Sequence, residues 1–588
     1  MSDGLTIAIA DPTGPPVRWP EGAVTIGRHD RSVVADADLY NLGELRRDLG
    51  LPSGASPGEV LDAAWLRWGS DMPNHLVGDF MVAAWDRPAG ALFVARDHMG
   101  VRPVYVARAT GGAIVSTGLD EVAATHGVDL SVDSSRVAEV LVDWWHDHRS
   151  TFYRGIRRLP GGHRAWVRPD GSIRAERYWV LSRDELRLRD DRAYEDRFRE
   201  LFVEAVRSRM PADGDVAAEL SGGLDSATVA GALAKEVAPA GRRLFTFAGS
   251  FSDLRYEDGA LDEARYRSWI GTLAGVRATE VQACDALSAD AVARSIEANH
   301  GPIAGSMILL RQHLYEQARE QQSVTTIFDG QDGDTVVGYG HERLTRLITR
   351  AHLATFAHEV NAIRRLRGPK RAAWAAFAFT ALAPASWAAW HLGRRPRGIR
   401  ESLASKELLR ATSTWERIRP VGVVRPDDVR GSHIHDVGAA YNAFSLEVTA
   451  ALARRAGLRA RHPLYDPRIV ELAVSLPDDQ LLRDGVARSI QRRALDGIAP
   501  PEVLWRTDKG ALPEGFVSDA LVACGIHETA AADGGAAAPY IDVNGLRRTY
   551  RRWSETQEGS LAAALYPVAL LDRWLSRPAA QGSGYSHR

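Results

Sequence analysis

Residues 221–226 have the composition of an anion-binding turn. They read Ser-Gly-Gly-Leu-Asp-Ser and separate an apolar run, residues 216–220, from a segment of helical periodicity, residues 227–237. A turn between a strand and a helix presents free backbone N–H groups and the positive end of the helix dipole to an anion. We therefore predict a buried strand, a phosphate-binding turn and a helix, in that order.

The side chains of this turn suit a bound polyphosphate. Its glycines let the backbone approach a phosphate closely, its serines add hydroxyl donors, and its aspartate can hold Mg2+ on the phosphate. Two other motifs are excluded, because the sequence has no G-x-x-x-x-G-K-[ST] and because Glu219 stands where a G-x-S-x-G nucleophile elbow needs glycine. The predicted nucleotide-binding residues of this turn are Ser221, Gly222, Gly223, Asp225 and Ser226.

A second, acidic turn follows another predicted strand. Residues 324–328 have a strand-like composition, and residues 329–334 read Asp-Gly-Gln-Asp-Gly-Asp. Three carboxylates on a glycine-bearing turn suggest a hard cation, but an EF-hand is excluded because Asp334 stands at the position of the invariant glycine. Because both turns follow strand ends, we expect one crevice, with magnesium shared between Asp225, Asp334 and a polyphosphate. Gly330 of the second turn joins the predicted nucleotide site.

Composition narrows the class of protein. The chain has 588 residues, 45% hydrophobic and 25% charged, which predicts more than one globular domain. Its net charge of -2 argues against a general nucleic-acid binder. Cys284 and Cys524 are the only cysteines, too few for a disulfide framework, and so low a cysteine content is typical of proteins of the reducing cytoplasm. The lack of a basic, apolar leader predicts that the protein is not exported.

One uncharged segment, residues 372–390, approaches the length of a membrane span. Alanine dominates it, Pro384 interrupts it, and basic residues flank it on both sides. We therefore predict a helix pair packed on the domain, with no stable membrane insertion.

The strand pattern differs between the two ends of the chain. Before about residue 185, short strand-like runs joined by Gly- and Pro-containing turns predict antiparallel sheets. After about residue 200, strands alternate with helices, which is the pattern of a parallel sheet. The polar residues between these parts indicate a connection between two domains.

Short motifs along the chain resemble those of asparagine synthetases. They lie at residues 40–45, 78–80, 95–98, 100–105, 221–226, 461–466 and 506–510. The resemblance covers nearly the whole chain except about 340–440. It implies an N-terminal Ntn-hydrolase-like α+β sandwich of antiparallel sheets over residues 1–185. It also implies an α/β ATP-pyrophosphatase domain (adenine nucleotide α-hydrolase-like) with a parallel sheet over residues 186–588, with a variable helical insert at about 340–440.

The resemblance implies ATP and Mg2+ as cofactors and adds two catalytic candidates. Lys509 falls on the family lysine that neutralises charge on the α-phosphate during adenylation. Glu447 lies sixteen residues before Pro463, close to the spacing of the glutamate base of β-lactam synthetases, although a helix-surface glutamate without a catalytic role fits equally well. Gln331 stands where asparagine synthetases have a glutamate and β-lactam synthetases a catalytic tyrosine.

The N-terminal part departs from the family at the nucleophile. The glutaminase of asparagine synthetases needs an N-terminal cysteine, whereas position 2 is Ser2 and no cysteine precedes Cys284. We therefore predict a degenerate glutaminase-like domain retained as a scaffold. The amine in the reaction should then belong to the substrate itself.

β-Lactam synthetases and lasso-peptide cyclases are amide ligases that use an amine of the substrate. The long helical insert and the overall length look most like a lasso-peptide cyclase. Such an enzyme adenylates an Asp or Glu side chain of a precursor core peptide and closes a macrolactam with the peptide's N-terminal amine. The resemblance implies a leader-peptide-binding protein and a leader peptidase as partners. A β-lactam synthetase, an ammonia-dependent asparagine synthetase-like ligase and a non-catalytic scaffold stay open as alternatives.

Overall fold

The computed structural model describes most of the chain. Two residues singled out in the sequence, Ser2 and Lys509, lie outside the described ranges. The described residues are 5–10, 24–25, 33–145, 147–251, 264–303, 305–321, 324–391, 399, 401–419, 424–507 and 512–577.

Two five-stranded sheets form the N-terminal part. The strands are β1 (Thr6–Ala10), β2 (Val24–Thr25), β3 (Val34–Leu39), β4 (Gly78–Asp86), β5 (Ala91–Arg96), β6 (Tyr105–Ala109), β7 (Gly112–Ser116), β8 (Ile156–Arg158), β9 (His163–Val167) and β10 (Ile173–Arg177). The first sheet has the order β2-β1-β7-β6-β8 and the second β10-β9-β5-β4-β3. All neighbours pair antiparallel except β1 with β2, which confirms the predicted antiparallel sandwich.

The two sheets pack face to face between two layers of helix. Met81 of the second sheet meets Val106 and Val115 of the first, whereas its neighbours Phe80 and Val82 point to the opposite face. This alternation is the period-two pattern of a strand that is buried on both sides. The covering elements are α1 (Leu42–Asp48), α2 (Pro57–Trp68), a 3₁₀ helix (Gly69–His75) and α3 (Leu119–Ala123). The next helix, α4 (Ser134–Leu141), packs instead against helices of the C-terminal part.

A parallel sheet organises the C-terminal part. Its strands are β11 (Asp215–Glu219), β12 (Leu244–Ser250), β13 (Val276–Gln282), β14 (Val324–Phe328) and β15 (Arg459–Arg461). Their order is β13-β12-β11-β14-β15 and every pair is parallel, as the alternation of strands and helices predicted. A short hairpin, β16 (Leu482–Arg483) and β17 (Val486–Ala487), stands apart from this sheet.

Helices cover both faces of the parallel sheet. Val216 and Ala218 of β11 belong to one hydrophobic cluster, and Ala217 between them belongs to another. The helices up to the acidic turn are α5 (Asp191–Ser208), α6 (Leu224–Val237), α7 (Ala264–Arg267), α8 (Ala289–Asn299), α9 (Met307–Glu320) and α10 (Gly333–Val337). Since β10 ends at Arg177 and α5 begins at Asp191, the domain boundary at residues 185–186 stays a prediction within this connection.

The described residues between 340 and 440 are mainly helical. Their helices are α11 (Glu342–Thr349), α12 (Leu353–Arg367), α13 (Pro369–Phe377), a π-helical turn (Ala378–Leu382), α14 (Ala383–His391), α15 (Lys406–Ala411), α16 (Thr414–Ile418) and α17 (Val429–Val437). The later helices are α18 (Ala440–Arg455), α19 (Pro467–Ser475), α20 (Asp478–Leu481), α21 (Ser489–Ala494), α22 (Pro501–Leu504), α23 (Glu514–Ala523), α24 (Ile526–Ala531), α25 (Val543–Thr556) and α26 (Gly559–Leu575). Further 3₁₀ helices are Ile270–Thr272, Ala283–Ala286, Pro463–Tyr465 and Gly535–Tyr540.

The uncharged segment forms one helix, which corrects the prediction of a helix pair. Pro369–His391 is a continuous helical run of 23 residues, and by length and composition alone it could cross a membrane. Pro384 does not break it, because the wider π-helical turn directly before α14 accommodates the proline ring and its missing N–H. The segment is therefore one long element on the surface of the domain.

Candidate nucleotide and magnesium site

The first turn has the predicted strand-turn-helix geometry. β11 ends at Glu219, α6 begins at Leu224, and Gly222 between them has a φ of 85°, where only glycine is unstrained. The Ser221 N–H donates to the Ser226 hydroxyl oxygen at 3.1 Å, and the two serine hydroxyls lie 3.0 Å apart. The two serines thus close the turn around the helix N-terminus.

The second turn packs directly against the first. β11 and β14 are neighbouring parallel strands, with Ala218 opposite Phe328, so the turns that follow them emerge side by side. A Cβ atom on Gly330 would stand 2.4 Å from the Ser226 nitrogen and 2.5 Å from the Asp225 carbonyl carbon. Glycine is therefore required for this contact, and the structure places both turns at one crevice, as the sequence predicted.

The two predicted magnesium ligands flank a guanidinium group. Arg488 Nη1 donates to both carboxylate oxygens of Asp225, at 2.8 and 2.7 Å, and Gln491 Nε2 donates to the same carboxylate at 2.9 Å. The Tyr339 hydroxyl donates to Asp334 at 2.7 Å, and the Arg488 guanidinium carbon lies 5.5 Å from the Tyr339 ring centre. Arg488 therefore holds positive charge between the carboxylates assigned to Mg2+.

The donor set fits a metal that is shared with phosphate oxygens. Within the described ranges, no group of three or more His, Cys, Asp or Glu side chains could hold a metal ion by itself. Mg2+ commonly takes one or two protein carboxylates and completes its shell with phosphate and water oxygens. Asp225 and Asp334 would supply two such carboxylates, and the buried Arg488 Nε, which has no acceptor among the residues that the structure describes, offers a further donor for an anion.

Further arginines surround the first turn. Arg506 Nη1 donates to the Gly222 carbonyl oxygen at 2.8 Å, and Arg492 donates to the carbonyls of Ala487 and Arg506. Burial, and after it the neighbouring charge of Arg488, lowers the pKa of Arg492 to about 10. Several arginines gathered beside one turn favour a polyanion.

Sequence reasoning missed Arg488, Gln491 and Arg492. All three follow the short β16–β17 hairpin, and Arg488 and Gln491 contact Asp225, which lies more than 260 residues earlier in the chain. The signal in the sequence was only a local excess of arginine between residues 488 and 506. Arg506 stands three residues before Lys509, whose own placement lies outside the described residues.

Glu447 is held by residues of the N-terminal domain, and its role as the catalytic base stays a prediction. The carboxylate is buried, 4% exposed, and accepts hydrogen bonds from Arg158 Nε at 2.5 Å, Arg96 Nη1 at 3.1 Å and the Tyr105 hydroxyl at 3.3 Å. Burial alone would raise the pKa of Glu447, but Arg158 and Arg96 hold it below its usual range. A carboxylate neutralised in this way is a poor proton acceptor.

The helix geometry explains the orientation of Glu447. Ser445 and Thr449, two residues before and after it on α18, both hydrogen-bond to Gln331 of the second turn, at 2.9 Å each. Positions four residues apart share a helix face, and the position between them points the other way. Glu447 therefore faces the N-terminal domain, and the alternative of a helix-surface glutamate is wrong because the side chain is buried.

A network of polar side chains holds the acidic turn in place. Gln331 accepts from Arg311 Nη1 at 2.8 Å, and Arg311 also pairs with Glu219 at the end of β11. Asp332 has a positive φ of 51° and accepts from the Tyr465 hydroxyl at 2.8 Å, and burial raises its pKa. The network holds a strained backbone in place, as is common at functional turns.

A cavity of about 440 Å³ lies between the two halves of the chain and not at the two turns. Its lining includes Asp38 and Arg102 of the N-terminal domain and Glu447, Arg454 and Arg461 of the C-terminal domain. Asp38 pairs with Arg102 inside its own domain and with Arg461 across the boundary, so an ion pair joins the two domains.

Comparison with known families separates the two halves of the chain. A glutamine amidotransferase domain model matches residues 24–179, and the asparagine synthase model matches residues 197–576, which is more than half of the chain. The chain belongs to the asparagine synthase family. Its fold is accordingly an N-terminal Ntn-type amidotransferase domain with antiparallel sheets, followed by a synthase domain built on a parallel sheet.

Individual relatives of this asparagine synthase family member are distant. Asparagine synthetase 3 of Bacillus subtilis, named as glutamine-hydrolysing, is 23% identical over 487 residues, covering 81% of this chain and 74% of that protein. A protein of Mycobacterium tuberculosis, provisionally named a glutamine-hydrolysing asparagine synthetase, is 33% identical over 250 residues, covering 40% of this chain and 37% of its own length. The match thus spans little more than a third of the latter relative.

Solved structures add no further detail. The allosteric regulatory enzyme of purine biosynthesis matches 42% of this chain and 59% of its own, with 13% identity and a TM-score of 0.19. An overlap at that level supports no conclusion beyond the family match.

Proposed function

We propose that this protein is an ATP-dependent amide ligase that forms an acyl-adenylate and transfers the acyl group to an amine. The packing of Gly330 against Ser226 and Asp225, which unites a phosphate-type turn and an acidic turn, is the observation that supports it most directly. A substrate carboxylate attacks the α-phosphorus of ATP and pyrophosphate leaves. The amine nitrogen then attacks the acyl carbon, AMP leaves, and the amine loses a proton.

We assign a separate role in this reaction to each group of residues in the crevice. The turn around Gly222, with the N–H groups of the α6 N-terminus, would bind the departing pyrophosphate. Asp225 and Asp334 would hold Mg2+, which neutralises phosphate charge when bound. We assign Lys509 to the charge on the α-phosphate, supported by its place three residues after Arg506, which contacts the turn.

The finer proposal is a lasso-peptide cyclase. We propose that it adenylates an Asp or Glu side chain of a precursor core peptide and closes a macrolactam with the N-terminal amine. Residues 1–283 contain no cysteine that could release ammonia from glutamine, which favours an amine on the substrate. A leader-peptide-binding protein, a leader peptidase and a cytoplasmic location belong to this proposal.

The helical insert borders the crevice, which supports a large substrate. His341 stacks on Tyr339 with ring centres 5.6 Å apart, and Phe379 of the π-helical turn lies 5.3 Å from His341. Because Tyr339 also bonds to Asp334, the insert contacts one wall of the candidate site directly. A ring closure must hold two ends of one peptide at about 3–3.5 Å, so an extended wall beside the site is useful.

An ammonia-dependent asparagine synthetase-like ligase is the second candidate. The match to Bacillus subtilis asparagine synthetase 3 over 81% of the chain favours asparagine synthetase-like chemistry, and the lack of cysteine in residues 1–283 favours free ammonia over glutamine as the amine source. Purified protein incubated with ATP, Mg2+ and a leaderless core peptide should produce AMP, pyrophosphate and a peptide lighter by one water. Amidation of aspartate by free ammonia, or closure of a β-amino acid to a β-lactam, would instead select an alternative ligase. The absence of pyrophosphate release with every substrate would favour a non-catalytic scaffold.

A further inference from the structure

The helical run Pro369–His391 presents an apolar face to solvent. Trp374 is 61% exposed, Phe377 52% and Leu382 42%, and of its most apolar 18-residue window only 6% is buried. Trp374 and Phe377 are three residues apart, and Leu382 ends the π-helical turn that follows, so all three side chains lie along one exposed helical run. Several large apolar side chains exposed on one element indicate an interaction site.

The opposite face of the same run is packed on the protein. Ala372 is buried in a cluster with Leu344 and Ile363, and Thr345 donates to the Phe379 carbonyl oxygen. At the other end, Trp390 is buried, and its ring lies 5.4 Å from that of Trp144. The helix is therefore held on the domain near both of its ends.

Basic residues gather beside the exposed aromatic side chains. The eight residues 364–371 contain five arginines or lysines and no acid. They occupy the corner where α12 ends and α13 begins. The exposed cations of this corner are Arg364, Arg365, Lys370 and Arg371.

We propose that this face, the basic corner together with Trp374, Phe377 and Leu382, docks on the surface of an anionic lipid bilayer. Aromatic side chains partition into the headgroup region, while arginine and lysine bind lipid phosphates. Because the basic corner contains no acidic residue, the partner that complements this face carries negative charge beside an apolar layer, as an anionic bilayer does. The inference concerns peripheral binding and is independent of the proposed reaction.

Vesicle flotation tests the proposal. The full chain should float with vesicles of phosphatidylcholine and phosphatidylglycerol, and not with phosphatidylcholine alone. Binding should weaken as salt rises from about 0.1 to 0.5 M, because screening shortens the reach of the basic corner. Trp374→Ser with Phe377→Ser should remove flotation, and Lys370→Glu with Arg371→Glu should lower the partition coefficient roughly 20-fold or more.

Matched variants distinguish docking by this face from nonspecific binding of the protein to vesicles. Leu66 and Val180 are 76% and 67% exposed elsewhere on the chain, and Leu66→Ser with Val180→Ser should float like wild type. Arg187→Glu with Arg551→Glu makes the same charge change elsewhere and should have little effect. The proposal is overturned if the wild-type protein does not float with anionic vesicles. It is also overturned if the double serine variant (Trp374→Ser, Phe377→Ser) and the double glutamate variant (Lys370→Glu, Arg371→Glu) float as well as wild type. Loss of peptide turnover without a change in flotation would identify a peptide site instead.

Discussion

Arg488 and Asp225 form a two-fold hydrogen-bonded ion pair, with Nη1 at 2.8 and 2.7 Å from the two carboxylate oxygens. The pair joins the residue after the β16–β17 hairpin to the first turn of α6. Either a guanidinium group or Mg2+ can neutralise the Asp225 carboxylate. When nucleotide and Mg2+ bind, we therefore expect this carboxylate to exchange part of its pairing with Arg488 for the metal ion. Arg488 then becomes available to a phosphate oxygen while remaining in the crevice.

Replacement of Arg488 should therefore slow the ATP-dependent step. For Arg488→Met we expect the rate of pyrophosphate release to fall roughly 10²–10³-fold, the usual effect of removing one charge-stabilising donor. Arg483→Met is the control, because Arg483 lies on the same hairpin but pairs with Asp191. An unchanged rate in Arg488→Met would show that the pair is only structural.

Loss of either predicted metal carboxylate should abolish pyrophosphate release. Asp225→Asn and Asp334→Asn keep the shape of the side chain and remove the charge that would hold Mg2+. Pyrophosphate assays across a magnesium titration measure the effect. Asp533→Asn, which breaks an exposed pair with Arg547, should leave the rate unchanged. Normal turnover in either crevice variant would refute the assigned site.

Gly330→Ala should disrupt the crevice by steric overlap. Its Cβ would lie 2.4 Å from the Ser226 nitrogen, and neither backbone can yield without separating the two turns. We expect loss of ATP binding, measured by calorimetry, together with loss of pyrophosphate release. Gly54→Ala is the matched control, since no atom lies within 4 Å of its Cβ position. ATP affinity equal to wild type would show that the turns do not need this contact.

Lys509→Met tests whether Lys509 stabilises negative charge on the α-phosphate. If the lysine stabilises charge that develops at the α-phosphate, kcat should fall roughly 10²–10³-fold while ATP affinity changes little. Steady-state kinetics and direct ATP binding separate the two effects. A kcat equal to that of wild type would mean that Lys509 has no catalytic part.

Glu447→Gln should affect stability more than chemistry. Removing one partner of a buried ion pair leaves Arg96 and Arg158 uncompensated, at a cost of about 3–5 kcal/mol. Urea denaturation measures this loss of unfolding free energy. The control is Glu236→Gln, which breaks an exposed ion pair with Arg207 and should cost less than about 1 kcal/mol. A stable variant with a collapsed kcat would identify Glu447 as a catalytic group.

The same residue predicts a pH dependence. Because the pKa of Glu447 in the folded protein lies below its ordinary value of 4.5, its ion pairs contribute fully above that pH. Their contribution is lost as the pH falls through the lower folded-state pKa. Between about pH 5.5 and pH 3.5, wild type should therefore lose more unfolding free energy than Glu447→Gln.

Local patterns determined a large part of this protein from the sequence alone. The Ser-Gly-Gly-Leu-Asp-Ser turn, the strand before it and the helix after it are neighbours along the chain, so composition and periodicity suffice to predict them. The meeting of the two turns also followed, because parallel strands end at the same edge of a sheet. The two kinds of sheet followed from the alternation of strands with turns or with helices.

Contacts between distant segments were decided only by the tertiary structure. Arg488 and Asp225 are 263 residues apart, and no local pattern selects that arginine from its neighbours. Glu447 has suitable spacing for a base, but the rotation of α18 turns it toward two arginines of the other domain, a result of packing between domains. In the same way, composition shows that Pro369–His391 is apolar, whereas only the fold determines which of its faces stays exposed, because burial depends on neighbours brought together from the whole chain.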